Sequence, residues 1–231
     1  MDYNGIRLQT DTGGIAVVIM CNGDNKFTMD FVRTWHQVLD DIEKNEDITG
    51  LITIGEGRAF STGLDINWLK IQSPTTLDEY HDELHKLYKR LMSLGLTTVA
   101  IINGHAIAEG AFIALMHDYR IMKQGRCWIN WPEVHVKLPF TKTMIDLFRV
   151  KVQNGAAVRE ALVFGKRLDA ESAKSLGIVD LATSESNLMN EAKKTLRNAI
   201  GKLSLTRGFF NDMKSDIYNN CVVQEKLAGK L

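Results

Sequence analysis

TTVAIINGHAIAEGAFIALMHDYRIM, residues 97 to 122, decides the architecture. It opens on a continuous β-branched apolar run, the pattern of a strand buried on both faces. A glycine-bearing loop, NGHAIAEG, follows; AFIALMHD then reads as a short apolar helix and DYRIM as another strand. The same order occurs one unit earlier, where LITI (51–54) runs into the three glycines of GEGRAFSTG and a helical segment. IAVVIM (15–20) supplies a further strand. Between these strands, Phe31, Trp35, Val38, Leu39 and Ile42 recur at helical spacing, and so do Tyr80, Leu84, Leu87, Tyr88 and Leu91. Apolar strands joined through helices imply an α/β fold whose sheet is covered on both faces.

The chain has 231 residues, 45% of them apolar and 24% charged, which suits one sizeable core with a small appendage. Its 28 basic and 28 acidic residues balance, so no global field favours nucleic acid or an anionic membrane. No apolar run approaches the ~18 residues of a membrane span, and MDYNGIRLQTDTGG does not read as a signal or transit peptide. Cys21, Cys127 and Cys221 lack disulfide or metal-site spacing, which points to buried thiols in a reducing compartment. His105, His117 and His135 form no metal-site pattern and read as ordinary core or surface histidines. From residue 184 the pattern turns helical and polar, giving a core over 1–183 and a helical extension over 184–231.

Strand ends followed by glycine and a helix leave backbone N–H groups pointing outward, unpaired. The third glycine of GEGRAFSTG falls too late for a dinucleotide fingerprint, and the loop lacks the Gly-Lys-Ser/Thr of a phosphate-binding loop. Ser61 sits outside any Gly-x-Ser-x-Gly elbow, which argues against a serine hydrolase. Two such loops suit a different use: one N–H from each converges on an oxygen that becomes negative during reaction. A base for that reaction is offered by Glu133 in WINWPEVHVKLP, where Trp128, Ile129, Trp131, Val134 and Val136 would desolvate the carboxylate and raise its pKa. The residues alone leave open a glutamate at a strand end facing water.

RAFSTGLDI (58–66), ING (102–104) with AEGAFIALMHDYRIM (108–122), and PEV (132–134) resemble, in order and spacing, the signature segments of the crotonase, or enoyl-CoA hydratase/isomerase, superfamily. REALVFGKRLDAESAKSLGIVD (159–180) resembles its following segment, so the likeness runs from about residue 5 to 185. The Phe-Ser-x-Gly-Leu-Asp form of the first loop is most similar to the Δ3,Δ2-enoyl-CoA isomerases. The resemblance implies a crotonase-like ββα superhelix with a C-terminal helical extension.

It also implies that Lys26, Arg58, Ala59, Phe60, Ser61, Thr62, Gly63, Leu64, Asp65, Ile66 and Gly110 receive a bent coenzyme A thioester. The amides of Leu64 and Glu109 would hold the thioester oxygen. Lys26 and Arg58 either meet the phosphates or are simply solvated. Asp65 reads as the cap of a helix starting at Ile66.

Hydratases of the family carry a second glutamate where this chain has Phe112. Its loss implies an isomerase with Glu133 as sole acid/base; no metal is expected, and no cofactor beyond the coenzyme A of the substrate. Glu109 stands where glycine or alanine is usual, Lys137 where glycine is common, and Pro139 arrives one position early. Glu109 is expected to point outward at the positive end of its helix. Glu109, Lys137 and the short tail sustain one alternative, a catalytically silent acyl-CoA-binding scaffold; another is a hydratase using Glu109 in place of the missing carboxylate. The resemblance further implies a homotrimer or hexamer, with residues 184–231 helping to build the acyl pocket and the subunit contact. The closing Gly-Lys-Leu departs from Ser-Lys-Leu at its first residue and suggests a peroxisomal address, with the cytoplasm as the alternative.

Overall fold

The apolar runs become the centre of a seven-stranded sheet in the computed structural model, which describes residues 1–200 and 206–218. Its strands are β1 (Asp2–Tyr3), β2 (Ile6–Thr10), β3 (Ile15–Met20), β4 (Gly50–Gly55), β6 (Thr97–Ile102), β8 (Tyr119–Lys123) and β10 (Leu181–Thr183). The spatial order is β1-β2-β3-β4-β6-β8-β10, antiparallel at the first two pairings and parallel thereafter. A smaller parallel sheet joins β5 (Ala59–Ser61), β7 (His105–Ile107) and β9 (Ile129–Asn130). Each of these short strands leaves the main sheet's layer and delivers a loop to one place, which is what the glycine-bearing segments are for.

Helices cover the main sheet as the stripes require. The first is α1 (Met29–Lys44), started by the Thr28 side chain accepting from the Phe31 amide, with Phe31, Trp35, Val38, Leu39 and Ile42 buried. A single turn, α2 (Ile66–Leu69), precedes α3 (Pro74–Ser93), which Ser73 caps and whose Tyr80, Leu84, Leu87, Tyr88 and Leu91 are buried. Beyond them come α4 (Glu109–Met116), α5 (Glu133–Val136), α6 (Lys142–Lys151), α7 (Gly155–Ala157), α8 (Ala170–Ser175), α9 (Leu188–Ile200) and α10 (Arg207–Tyr218).

Among the described residues after 183 there are two α-helices, and the first does not stand apart from the sheet. Leu188, Ala192 and Leu196 of α9 bury against Ile15, Val17, Ile52, Val99, Ile101 and Ile121, forming the second covered face of the sheet. Helix α10 is fixed by polar anchors instead: the buried Lys214 ammonium donates to the Leu96 carbonyl and to Asp118, each at 2.7 Å. Arg207 donates to the carbonyls of Ile42, Glu43, Asn45 and Ile48 around the C-terminal end of α1, where a cation is favoured.

Among the described residues no helix is long and apolar enough to cross a membrane. Cys127 is buried, its thiol donating to the Gly104 carbonyl, whereas Cys21 is half-buried. Cys221 and the closing Gly-Lys-Leu lie outside the described residues.

Candidate active site

The first loop is shaped by its own side chains and by residues 24–27. Ser61 donates through its hydroxyl to the Asn25 carbonyl (2.8 Å) and accepts from the Gly63 amide (3.1 Å), while the Thr62 amide donates to the Asp24 carbonyl (3.0 Å). Phe27 bridges the loop in parallel: its amide donates to the Gly63 carbonyl (2.9 Å) and its carbonyl accepts from the Asp65 amide (3.2 Å). In that pattern the flanking residues make the bonds, so the amide of Leu64 itself faces away from Phe27. Asp65 then caps α2 by accepting from the amides of Asn67 and Trp68, the role read for it in the sequence.

The second loop reaches the same place from β7. Ala108 donates its amide to the Asn130 carbonyl (2.9 Å) and adopts φ 51°, ψ −121°, a conformation that side-chain-bearing residues rarely take. The turn directs the Glu109 amide, the first of α4 and so without an intrahelical acceptor, back toward the first loop. Glycine is required at two points of this approach. Gly63 has φ +89°, and a Cβ there would lie 3.1 Å from the Glu109 nitrogen; a Cβ on Gly110 would lie 2.3 Å from the Ser61 carbonyl oxygen. The amides of Leu64 and Glu109 are thus neighbours in space, and among the described residues neither has an acceptor.

Two carboxyl groups belong to the same region. Strand β9 ends at Asn130 and the chain turns through Trp131 and Pro132 into α5, whose first residue, Glu133, is 6% exposed. Val134 and Val136, expected to shelter it, are instead 45% and 67% exposed. Trp131, two residues before Glu133, is fully buried and packs edge-on against Phe148 with centroids 5.0 Å apart, and against Phe112 at 5.7 Å. Among the described residues Oε2 of Glu133 has no hydrogen-bond partner, and burial pushes its pKa up to about 7.

Glu109 corrects the expectation of an outward side chain. All eight residues of α4 are buried, so the helix has no solvent face for a glutamate to point along, and Glu109 is 2% exposed. Neither of its carboxyl oxygens has a hydrogen bond of full geometry among the described residues. Burial raises its pKa to about 7 and the charge of Glu133 adds to that, while the nearby Tyr88 hydroxyl acts in the opposite direction. Tyr88, buried on α3, is itself held well above the usual phenol range by burial and by Glu109. Beside it, Tyr80 donates to the Phe27 carbonyl at 2.9 Å.

The remaining residues read from the sequence divide clearly. Ala59 and Phe60 are buried in β5 as structural members; Thr62 is half-buried, and Ile66 is exposed. Arg58 lies at the end of β5 remote from Leu64, its side chain 80% exposed and paired with Asp24 at 3.1 Å; Lys26 is half-buried. Lys137 ends α5 in the left-handed conformation (φ 58°), which accounts for a position where glycine is common.

His117 is a satisfied core histidine, bonded to the Ile113 carbonyl (2.9 Å) and the Thr53 hydroxyl (2.8 Å), with burial lowering its pKa to about 4. His105 stacks on Trp128. No group of three or more potential metal ligands occurs among the described residues. Tyr80 and Tyr88 were legible only as members of an apolar stripe; their hydroxyls, eight residues apart on one helix face, were the available signal.

The model of the enoyl-CoA hydratase/isomerase family matches residues 10–221 of the chain. Enoyl-CoA delta isomerase 3 of Arabidopsis thaliana is 39% identical over 140 residues, 59% of this chain and 58% of that protein's own length. Peroxisomal enoyl-CoA delta isomerase 2 of the same plant is 33% identical over 172 residues, 71% of each chain. A putative enoyl-CoA hydratase of Thermus thermophilus is 28% identical over 209 residues, 87% of this chain and 81% of the other. Among solved structures, human mitochondrial delta3-delta2-enoyl-CoA isomerase superposes with a TM-score of 0.86 over 95% of this chain and 85% of that one, at 23% identity, a likeness of fold.

Proposed function

Since the chain belongs to the enoyl-CoA hydratase/isomerase family, we propose that it moves the double bond of a 3-enoyl-CoA to the 2-trans position. The observation that carries this reading is the pairing of a buried, proton-affine carboxylate at Glu133 with two neighbouring acceptor-free amides at Leu64 and Glu109. A thioester oxygen held by the two amides acidifies the adjacent C2–H, and Glu133 takes that proton. The C2–H electron pair spreads over a dienolate whose negative oxygen the amides hold, and a proton then adds at C4. Each amide contributes about 3 kcal/mol to the charged state, on the scale of oxyanion-hole deletions. The family resemblance puts Phe112, which is apolar and fully buried, at the position of a hydratase's second glutamate, and that supports the isomerase reading.

The decisive experiment presents the purified protein with 3-hexenoyl-CoA and with 2-hexenoyl-CoA and follows conjugation and hydration in parallel. Conjugation that disappears in Glu133→Gln supports the isomerase. A second reading, water addition with Glu109 as the other carboxyl, gains from the burial of that side chain and predicts hydration of the 2-enoyl substrate. Tight acyl-CoA binding without turnover would leave a scaffold. Assembly as a homotrimer or hexamer is part of the proposal, read out by light scattering. So is a peroxisomal address in Gly-Lys-Leu, which fails if deleting those three residues leaves the distribution in cells unchanged.

A further inference from the structure

We propose that Glu109 is a second proton carrier of this reaction, delivering to C4 the proton that in a one-carboxylate mechanism Glu133 would have to return. The proposal rests on the isomerase reading and gives it a division of labour.

No structural duty explains Glu109. It makes no ion pair among the described residues, it caps nothing, and neither oxygen has a well-formed hydrogen bond, although the side chain is 2% exposed. A carboxyl in that condition is costly to keep, and α4 is otherwise built from Gly110, Ala111, Phe112, Ile113, Ala114, Leu115 and Met116. Its position ties it to the chemistry. The same residue's amide is one of the two proposed to hold the thioester oxygen, so its carboxyl belongs to a residue at the reaction site. Glu133 is near enough for its charge to reach Glu109, and among the described residues the hydroxyl drawn toward the Glu109 carboxyl is that of Tyr88.

Two like carboxyls sharing an apolar site do not both ionise readily; the pair keeps one proton and one charge. That is the state a double-bond shift needs. The Glu133 carboxylate removes the C2 proton, and the C2–H pair enters the dienolate. When the dienolate collapses, a C2=C3 bond forms and the former C3=C4 π pair forms a C4–H bond with the Glu109 proton. The electrons of the Glu109 O–H bond stay on its oxygen. Glu133 is left protonated and Glu109 ionised, with the Tyr88 hydroxyl placed to donate to it. Exchange of one proton with solvent at each carboxyl restores the starting state. The redox state of every group is unchanged.

The experiment follows the hydrogen. The full-length protein is given 3-hexenoyl-CoA carrying two deuterons at C2, in ordinary water, and the product is analysed for deuterium at C4 by mass spectrometry and NMR. Delivery by Glu109 predicts a C4 hydrogen drawn from solvent in nearly every turnover. In Glu109→Gln the rate falls by about 100-fold, the lower end for losing a general acid, and the residual product carries more deuterium moved from C2 to C4. The proposal is overturned if the unaltered protein moves the C2 label to C4 in most turnovers, or if Glu109→Gln keeps both the rate and the label pattern. Hydration in place of isomerisation overturns it in favour of the water-adding reading. Failure of the unaltered protein to isomerise at all removes the function reading as well, whereas label retention with active turnover removes only the role of Glu109. Should the variant not fold, the label distribution of the unaltered protein decides alone.

Discussion

Replacing Glu109 by Gln should stabilise this protein in alkaline solution and leave it nearly unchanged in acid. The carboxyl has its pKa raised from 4.5 to about 7 in the folded chain, principally by burial. A group shifted in that direction contributes stability that is fully present below its unfolded value and is lost as pH rises through the folded one. The window for Glu109 therefore runs from about pH 4.5 to about pH 7. At 1.36 kcal/mol per pKa unit the loss is about 3 kcal/mol once both forms are ionised. Glutamine stays neutral throughout and matches the protonated carboxyl in size, so it avoids that loss without opening a cavity. Removing the charge beside Glu133 lowers that residue's cost of ionisation too, which acts in the same direction.

For a chain of this length, about 3 kcal/mol corresponds to roughly 6–12 °C in melting temperature. The assay is urea denaturation and thermal melting of both proteins at pH 5 and pH 8.5, at equal protein concentration because assembly would shift both. The reasoning is refuted by parallel pH profiles, or by a gap that widens toward acid, which would mean that Glu109 is a stabilised anion.

Three further outcomes follow from the site. With Glu133 needed as a base and its pKa raised to about 7, kcat/KM should fall on acidification through that region, and Glu133→Gln should cost about 100- to 10,000-fold at any pH, checked by a spectrophotometric conjugation assay. Gly110→Ala places a methyl 2.3 Å from the Ser61 carbonyl oxygen and should separate the two loops, lowering the isomerisation rate by at least tenfold while acyl-CoA binding, measured by calorimetry, weakens less. Lys137→Gly relieves a left-handed conformation at an exposed helix end and should raise stability by about 1 kcal/mol in urea denaturation with activity unchanged.

What the sequence made legible was whatever depends on periodicity or local chain chemistry. The stripes of α1 and α3 are buried at the residues their spacing named, and TTVAII is a strand buried at all six positions. Ser61, Gly63, Asp65 and Gly110 could be placed in loops by type, since each is used for a local turn, a cap or a close approach. The direction of Glu109 was not legible. An acidic residue in a first helical turn ordinarily faces water, and only the burial of the whole of α4 beneath α3 and between the two sheets removes that option. Nor was the exposure of Val134 and Val136 legible: apolar neighbours in sequence shelter a carboxylate only where the fold buries them too, and here both face solvent.

The division has a physical basis that bears on function. The anion-holding part of the site is made of main chain, so its sequence trace is glycine and turn chemistry. Its cost is visible in the positive φ of Ala108, a residue with a Cβ held where glycine would be at ease, of the order of 1–3 kcal/mol. The proton-moving part is made of side chains whose acidity depends on what packs over them from α3, α4 and α6, elements distant in sequence. Burial raises the pKa of the Glu133 carboxyl, and Tyr88 is drawn to Glu109. A chain can therefore keep the first part intact while the second drifts between one carboxyl and two. Isotope transfer tests that difference directly, because it reports which carboxyl handled the proton and is indifferent to how tightly the amides hold the oxygen.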